Sequence, residues 1–256
     1  MPKNSWKPSL KDRLVFALDV DHAEEARKWI DALRGEVGTF KAGLQIYTRI
    51  GPEGIRSFMS PEIQIFLDLK LHDIPHTVAQ ASRGIVALGA RMFTVHTLGG
   101  TDMLTACADA TAEEAERLGV PRPLILGVTL LTSLDEAAIQ SLGFERKMQD
   151  QTLRLAGLAR QAGLDGVVAS AEEVEQIKKT CGSEFMAVVP GIRQREHGEK
   201  PDDQKRTGTP LEAVERGADF LVVGRPLRQS PHPAQTAREI VEEIRRGWQR
   251  RSTGTF

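Results

Sequence analysis

The chain has 256 residues, 40% of them hydrophobic, and carries 34 Lys and Arg against 35 Asp and Glu, for a formal net charge of −1. That balance supplies no general attraction to nucleic acid or to an anionic membrane surface, so neither partner is expected. No apolar run approaches the ~20 residues of a membrane span.

The first residues, Met1-Pro-Lys-Asn-Ser-Trp-Lys-Pro8, lack the apolar stretch of a secretory signal. Cys107 and Cys181 stand alone, without disulfide or metal-ligand spacing. A cytoplasmic protein is therefore expected.

Residues 1–12 are polar and proline-bearing and read as a loose lead-in. Leu14-Val-Phe-Ala-Leu18 is a short apolar run ending at Asp19, followed by a helical stretch over 23–33 with Ala26, Trp29, Ile30 and Leu33 at helical spacing. Val37-Gly-Thr-Phe40 reads as a second strand ending at Lys41, and residues 52–59 as a second helix. Ile63-Gln-Ile-Phe-Leu67 is a third strand that leads into Asp68-Leu-Lys-Leu-His-Asp-Ile-Pro-His-Thr77. In extended chain, i and i+2 point to one side, so Asp68 and Lys70 are expected to share a pocket. Pro75 suits the first turn of a helix running to Leu88.

The alternation continues. Strands are expected at 91–95 (ending at His96), 124–128, 166–169, 185–189 and 220–223, and helices at 102–118, 148–162, 171–179, 209–216 and 232–248. Gly119, Gly163 and Gly217 each follow a helical run, where a left-handed cap belongs. Eight strand-helix units in about 250 residues is the content of a (β/α)₈ barrel, a single domain spanning residues 1–256. A doubly wound open sheet is the alternative, but no Gly-rich phosphate fingerprint follows the first strand.

In a barrel the strand tips gather at one face, where active sites are built. Here they carry Asp19, Lys41, Asp68 with Lys70, His96, Thr132, Pro190-Gly191 and Gly224-Arg225. Acids and lysines alternating as Asp19, Lys41, Asp68, Lys70 predict a buried charged chain in which each ion is neutralised by its neighbours. The polar stretch 191–208 is longer than an ordinary connection and reads as a lid loop. Gly224-Arg225 after the eighth strand is placed to take a phosphate, which suits the planar guanidinium fork. His72, His76 and His96 lack ligand spacing, so no metal is expected, and neither Ser133 nor Ser170 has the partners of an acyl-transfer nucleophile.

These motifs resemble the orotidine 5′-phosphate decarboxylases of bacterial type. The likeness rests on Ala17-Leu-Asp19, Phe40-Lys-Ala-Gly43, Phe66-Leu-Asp-Leu-Lys-Leu-His-Asp-Ile-Pro75, Val95-His96, Leu131-Thr-Ser133, Pro190-Gly-Ile-Arg193, Asp203-Gln204 and Gly224-Arg-Pro226. It implies cofactor-independent decarboxylation of orotidine 5′-phosphate to UMP in pyrimidine synthesis. Lys70 would protonate C6, Asp68 would lie against the departing carboxylate, and Asp19 and Lys41 would hold the ribose hydroxyls and the charged chain. Thr132 would sit at the pyrimidine edge, while Arg193, Gln204, Gly224 and Arg225 would cradle the phosphate or frame the closing loop. Asp73 and Thr77 would reach into the neighbouring subunit's site, so the resemblance also implies a homodimer. The chain departs from the family between Arg193 and Gln204, where it is slightly longer and carries Gln194 in place of the usual Pro.

Two other functions compete. A sister barrel decarboxylating or cleaving sugar phosphates would use the same Asp-x-Lys-x-x-Asp with a magnesium ion. A non-catalytic phosphate-binding barrel would have no need of Lys70.

Overall fold

A computed structural model describes residues 6–192 and 208–253. Eight parallel strands close into a barrel: β1 (Leu14–Ala17), β2 (Thr39–Gly43), β3 (Gln64–Leu71), β4 (Met92–His96), β5 (Leu124–Val128), β6 (Gly166–Val168), β7 (Met186–Pro190) and β8 (Phe220–Val223). β8 returns to β1 with Leu14 opposite Leu221 and Phe16 opposite Val223, which rules out the open doubly wound sheet. Among the described residues no helix is long and apolar enough to cross a membrane.

Strand periodicity sorts the side chains into two layers. Leu14, Phe16, Phe40, Ala42, Ile65, Leu67, Phe93 and Val95 pack outward into the large core shared with the helices. Val15, Ala17, Phe66, Met92, Leu124, Leu126, Val188, Phe220 and Val222 form a separate inner cluster filling the lumen. Counting on in twos from the inner residues reaches Asp19 from Ala17, Asp68 from Phe66, and Thr94 from Met92. The pleat alone therefore turns these groups inward at the top of the lumen.

The helices are α1 (Leu10–Arg13), α2 (Ala23–Leu33), α3 (Leu44–Arg56), α4 (Pro75–Leu88), α5 (Gly100–Leu118), α6 (Glu136–Ser141), α7 (Met148–Gln161), α8 (Val174–Cys181), α9 (Pro210–Glu215), α10 (Arg225–Arg228) and α11 (Pro233–Thr253). α2 matches its expected span, and Gly119, Gly163 and Gly217 all have positive φ after their helices. α1, α3, α6 and the short α10 depart from expectation. α1 forms within the lead-in because Ser9 and Asp12 make a reciprocal capping box. α3 starts at Leu44, directly after β2, and is kinked where Gly51 (φ 63°, ψ −172°) precedes Pro52, so only its second half carried a recognisable start signal. α6 is a short helix begun by Asp135, whose carboxylate accepts from the Ala138 N–H at 2.9 Å.

The lead-in also closes the barrel floor. Trp6 stacks on Phe220 at 5.6 Å between ring centres, and the Arg91 guanidinium lies 4.6 Å from the Trp6 ring centre.

Candidate active site

β2 and β3 run in register as far as Gly43 opposite Asp68. The β3–β4 pairing breaks above this level: Leu67 faces Phe93 and the next pair is Leu71 with Val95. Asp68, Leu69 and Lys70 thus lie opposite Thr94 alone. Lys70 resolves the extra length by adopting φ +52°, and no other non-glycine among the described residues has positive φ. The expectation that Asp68 and Lys70 share a pocket holds, but for a different reason: the backbone here is left-handed rather than extended. The Lys70 ammonium donates to Asp68 Oδ1 at 2.8 Å.

The expected charged chain is present, but only its middle is buried, the Asp19 and Lys70 side chains at its ends being 41% and 33% exposed. Lys41 Nζ lies 3.4 Å from Asp19 Oδ1 and 3.4 Å from Asp68 Oδ2. The Lys41 and Asp68 side chains are only 12% and 15% exposed. Burial pushes the Asp68 carboxyl upward, but the Lys41 and Lys70 ammoniums, with hydrogen bonds from Lys70 and Thr94, outweigh it and hold the group below the usual carboxylate range. Gly43 makes room for this arrangement, since a Cβ there would stand 3.2 Å from Lys41 Nζ.

Above the array opens a cavity of about 230 Å³. Phe66, Val128, Leu130, Val168 and Val188 form an apolar base and side, against which a planar ring would pack. Thr132, Pro190, Gly191, Gly224, Arg225 and Arg228 complete the lining. The cavity therefore brings together an ion array, an apolar lining and two arginine side chains, Arg228 lying next to Asp19 of the array.

Arg228 was not expected. Its guanidinium donates from Nη1 to the Asp19 backbone carbonyl at 2.6 Å, tying α10 to the tip of β1. A lone Arg three residues past Gly224-Arg225 carries no signal unless the turn is known to be helical. Thr94 was also passed over, although its place two residues before His96 on an inward face could have marked it.

Asp73 and Thr77 are exposed at the start of α4 and do not line the cavity of their own chain. The Asp73 carboxylate accepts from the Ile74 N–H at 2.6 Å, and Ile74 itself is 65% exposed. Arg193, Gln204 and most of the expected lid lie outside the described residues. His72 and His96 stack at 5.2 Å between ring centres. Burial, followed by His72 and Lys70, holds the His96 imidazole below its usual value. Among the described residues no group of three or more His, Cys, Asp or Glu is placed to hold a metal ion.

Known proteins share this architecture and sequence. A family model described as "Orotidine 5'-phosphate decarboxylase / HUMPS family" matches residues 12–240. An orotidine 5'-phosphate decarboxylase from Syntrophus aciditrophicus is 48% identical over 95% of this chain and 96% of its own length. One from Moorella thermoacetica is 46% identical over 91% and 92%. The crystal structure of orotidine 5'-phosphate decarboxylase from Lactobacillus acidophilus is similar at a TM-score of 0.80, with 31% identity over 91% of this chain and 99% of that one. The chain belongs to the orotidine 5′-phosphate decarboxylase / HUMPS family.

Proposed function

We propose that this chain, as one barrel domain, converts orotidine 5′-phosphate to UMP and CO₂, a step of pyrimidine biosynthesis. The observation that carries this reading is the Lys41–Asp68–Lys70 array in a cavity whose lining is otherwise largely apolar and includes Arg225 and Arg228. The pyrimidine fits the apolar lining, with its C6 carboxylate toward Asp68 and Lys70 and its phosphate toward Gly224 and Arg225. Asp19 and Lys41 take the ribose hydroxyls, and Thr132 the pyrimidine edge. Arg193 and Gln204, by family resemblance, complete the phosphate end.

The C6–carboxylate bond breaks heterolytically, CO₂ leaves, and the electron pair stays on C6. A fixed ammonium beside that carbon stabilises the developing charge without reorganising during the reaction. Lys70 then gives a proton to C6 to form UMP, and its neutral amine regains a proton from solvent. Asp68 lies against the substrate carboxylate and so disfavours the bound ground state relative to a transition state whose charge has moved to C6. Phosphate binding far from C6 supplies remote binding energy to the reacting centre.

The reading includes a homodimer. Asp73 and Thr77 sit outside their own cavity beside the exposed Ile74, as residues serving a partner's site would. It also keeps the enzyme in the cytoplasm, in line with two free, buried cysteines.

The family description also names HUMPS, so the sugar-phosphate barrel remains the competing reading. The relatives from Syntrophus aciditrophicus and Moorella thermoacetica, at 48% and 46% identity, are both named orotidine 5'-phosphate decarboxylase, which favours the pyrimidine substrate. The test is to add orotidine 5′-phosphate to the protein with and without a chelator and follow the ultraviolet absorbance of the pyrimidine. Turnover should be equal in both and nearly absent in a folded Lys70→Ala variant. An unchanged spectrum with the wild-type protein, or near-normal turnover by Lys70→Ala, overturns the proposal.

A further inference from the structure

Thr94 lies on the inward face of β4 and is wholly buried. Its hydroxyl stands between two parts of the site. It accepts from the Lys70 backbone N–H at 2.9 Å and donates to Asp68 Oδ1 at 3.0 Å. A carboxylate cannot donate and an amide N–H cannot accept, so the direction of both bonds is fixed. The same Asp68 oxygen receives the Lys70 ammonium at 2.8 Å. The backbone and the side chain of Lys70 therefore converge on one carboxylate oxygen, the backbone through Thr94.

The position of this hydroxyl answers a local problem. The β3–β4 ladder sets Asp68, Leu69 and Lys70 against a single residue of β4, so the Lys70 N–H loses its strand partner. Lys70 is also held at φ +52°, a region an L-residue with a long side chain leaves unless its surroundings fix it. The Thr94 side chain takes the orphaned N–H and at the same time fixes the rotation of Asp68.

We propose that Thr94 is a positioning residue, which through one hydroxyl locks the left-handed backbone of Lys70 and the carboxylate plane of Asp68 in the geometry that aims the ammonium into the cavity. This rests on the decarboxylase reading for its kinetic consequence, though not for its structural one. An ammonium misplaced by about an ångström loses turnover far more than affinity, because the substrate's phosphate and ribose contacts lie elsewhere.

Two substitutions separate the hydroxyl from the packing. Thr94→Val keeps the shape and removes the hydroxyl; Thr94→Ser keeps the hydroxyl and removes a methyl. Thr94→Val should lower kcat on orotidine 5′-phosphate by about 10- to 100-fold while KM stays within about threefold. Thr94→Ser should keep kcat within about threefold of wild type. Equal kcat in Thr94→Val and wild type, or an equal fall in both variants, overturns the proposal. A crystal structure of Thr94→Val supplies the readout independent of turnover. Lys70 should leave positive φ or Asp68 should rotate, and an unchanged pair refutes the positioning role. If Thr94→Val does not fold, Thr94→Ala takes its place in both measurements. A wild-type protein inert toward orotidine 5′-phosphate sinks the decarboxylase reading alone, and the crystal structures then still decide the role of Thr94.

Discussion

Replacing Lys41 by Met removes one of the two ammoniums that hold Asp68 ionised, and its effect can be worked out from the distances. The Lys41 and Asp68 charges lie 3.4 Å apart with both side chains largely buried. At an effective dielectric of about 20, two unit charges at that separation attract by about 5 kcal/mol. Desolvation of the pair offsets much of this in the intact protein, but deleting one partner leaves the other's desolvation uncompensated. Breaking a buried pair in this way costs about 3–5 kcal/mol. Asp68 keeps Lys70 at 2.8 Å, so the lower end applies. A loss of about 3 kcal/mol in a domain of this size lowers Tm by about 6–12 °C.

The attribution to Asp68 needs the full cycle of wild type, Lys41→Met, Asp68→Asn and the double variant, each unfolded in urea at pH 7. Asp19 is present in all four proteins, so its attraction to Lys41 cancels. The double variant should be more stable than the sum of the two single losses predicts, by about 2–3 kcal/mol. A coupling below about 0.5 kcal/mol, the ordinary error of additivity, would show that the two ions do not sense each other and that the array is an accident of proximity.

Further outcomes follow from the same geometry. The Asp68 carboxyl sits below the usual carboxylate value, so its contribution to stability is complete above about pH 4 and is lost as the pH falls through its folded value. The stability difference between wild type and Asp68→Asn, measured by urea unfolding, should therefore be flat between pH 5 and 7 and move toward the fully protonated limit below about pH 4; a change confined to neutral pH would contradict it. Arg225→Ala should lower kcat/KM on orotidine 5′-phosphate by about tenfold or more, with little effect on the phosphate-free nucleoside; an equal proportional loss on both would remove Arg225 from the phosphate site. Lys70→Ala and Asp73→Ala chains, unfolded and refolded together, should regain about a quarter of wild-type activity, because about half the dimers are mixed and each mixed dimer has one intact site. No gain on mixing, with mixed dimers seen by native mass spectrometry, would return Asp73 to its own subunit's site.

How much of this could be read from the residues depended on the range of the interaction. Strands such as Leu124–Val128 and Phe220–Val223 were recognisable because a buried parallel strand is a continuous apolar run, and their number and alternation with helices gave the barrel. The Asp19–Lys41–Asp68–Lys70 order was legible because barrel topology brings successive strand tips together. Features that depend on a local backbone departure were not legible. Neither the missing β3–β4 ladder step nor the positive φ of Lys70 has a signature in a stretch without glycine. The Thr94 bridge depends on that departure, and the Arg228 contact with the Asp19 carbonyl depends on α10 bringing together residues 209 apart in sequence.

A buried lysine elsewhere in the same barrel makes clear what distinguishes Lys70. Lys178 on α8 donates to the Ser183 carbonyl at 2.9 Å, the Phe185 carbonyl at 2.7 Å and Asp219 Oδ2 at 2.6 Å. An ammonium has three donors, so Lys178 is saturated by its own chain. Asp219 is likewise engaged, accepting from the Ala187 N–H at 2.8 Å and lying 3.4 Å from Arg251 Nη1. This group clamps β7, β8 and α11 together and has no capacity left for a ligand. Lys70 is one-third exposed and, among the described residues, has Asp68 Oδ1 as its hydrogen-bond acceptor. Lys70 also lines the cavity, so its other donors are within reach of water or of a bound group. The fold saturates one lysine with its own chain and leaves the other open to a cavity. Lys70 therefore keeps a positive charge available to a group that arrives from outside, at the position where negative charge develops on C6 in the proposed reaction.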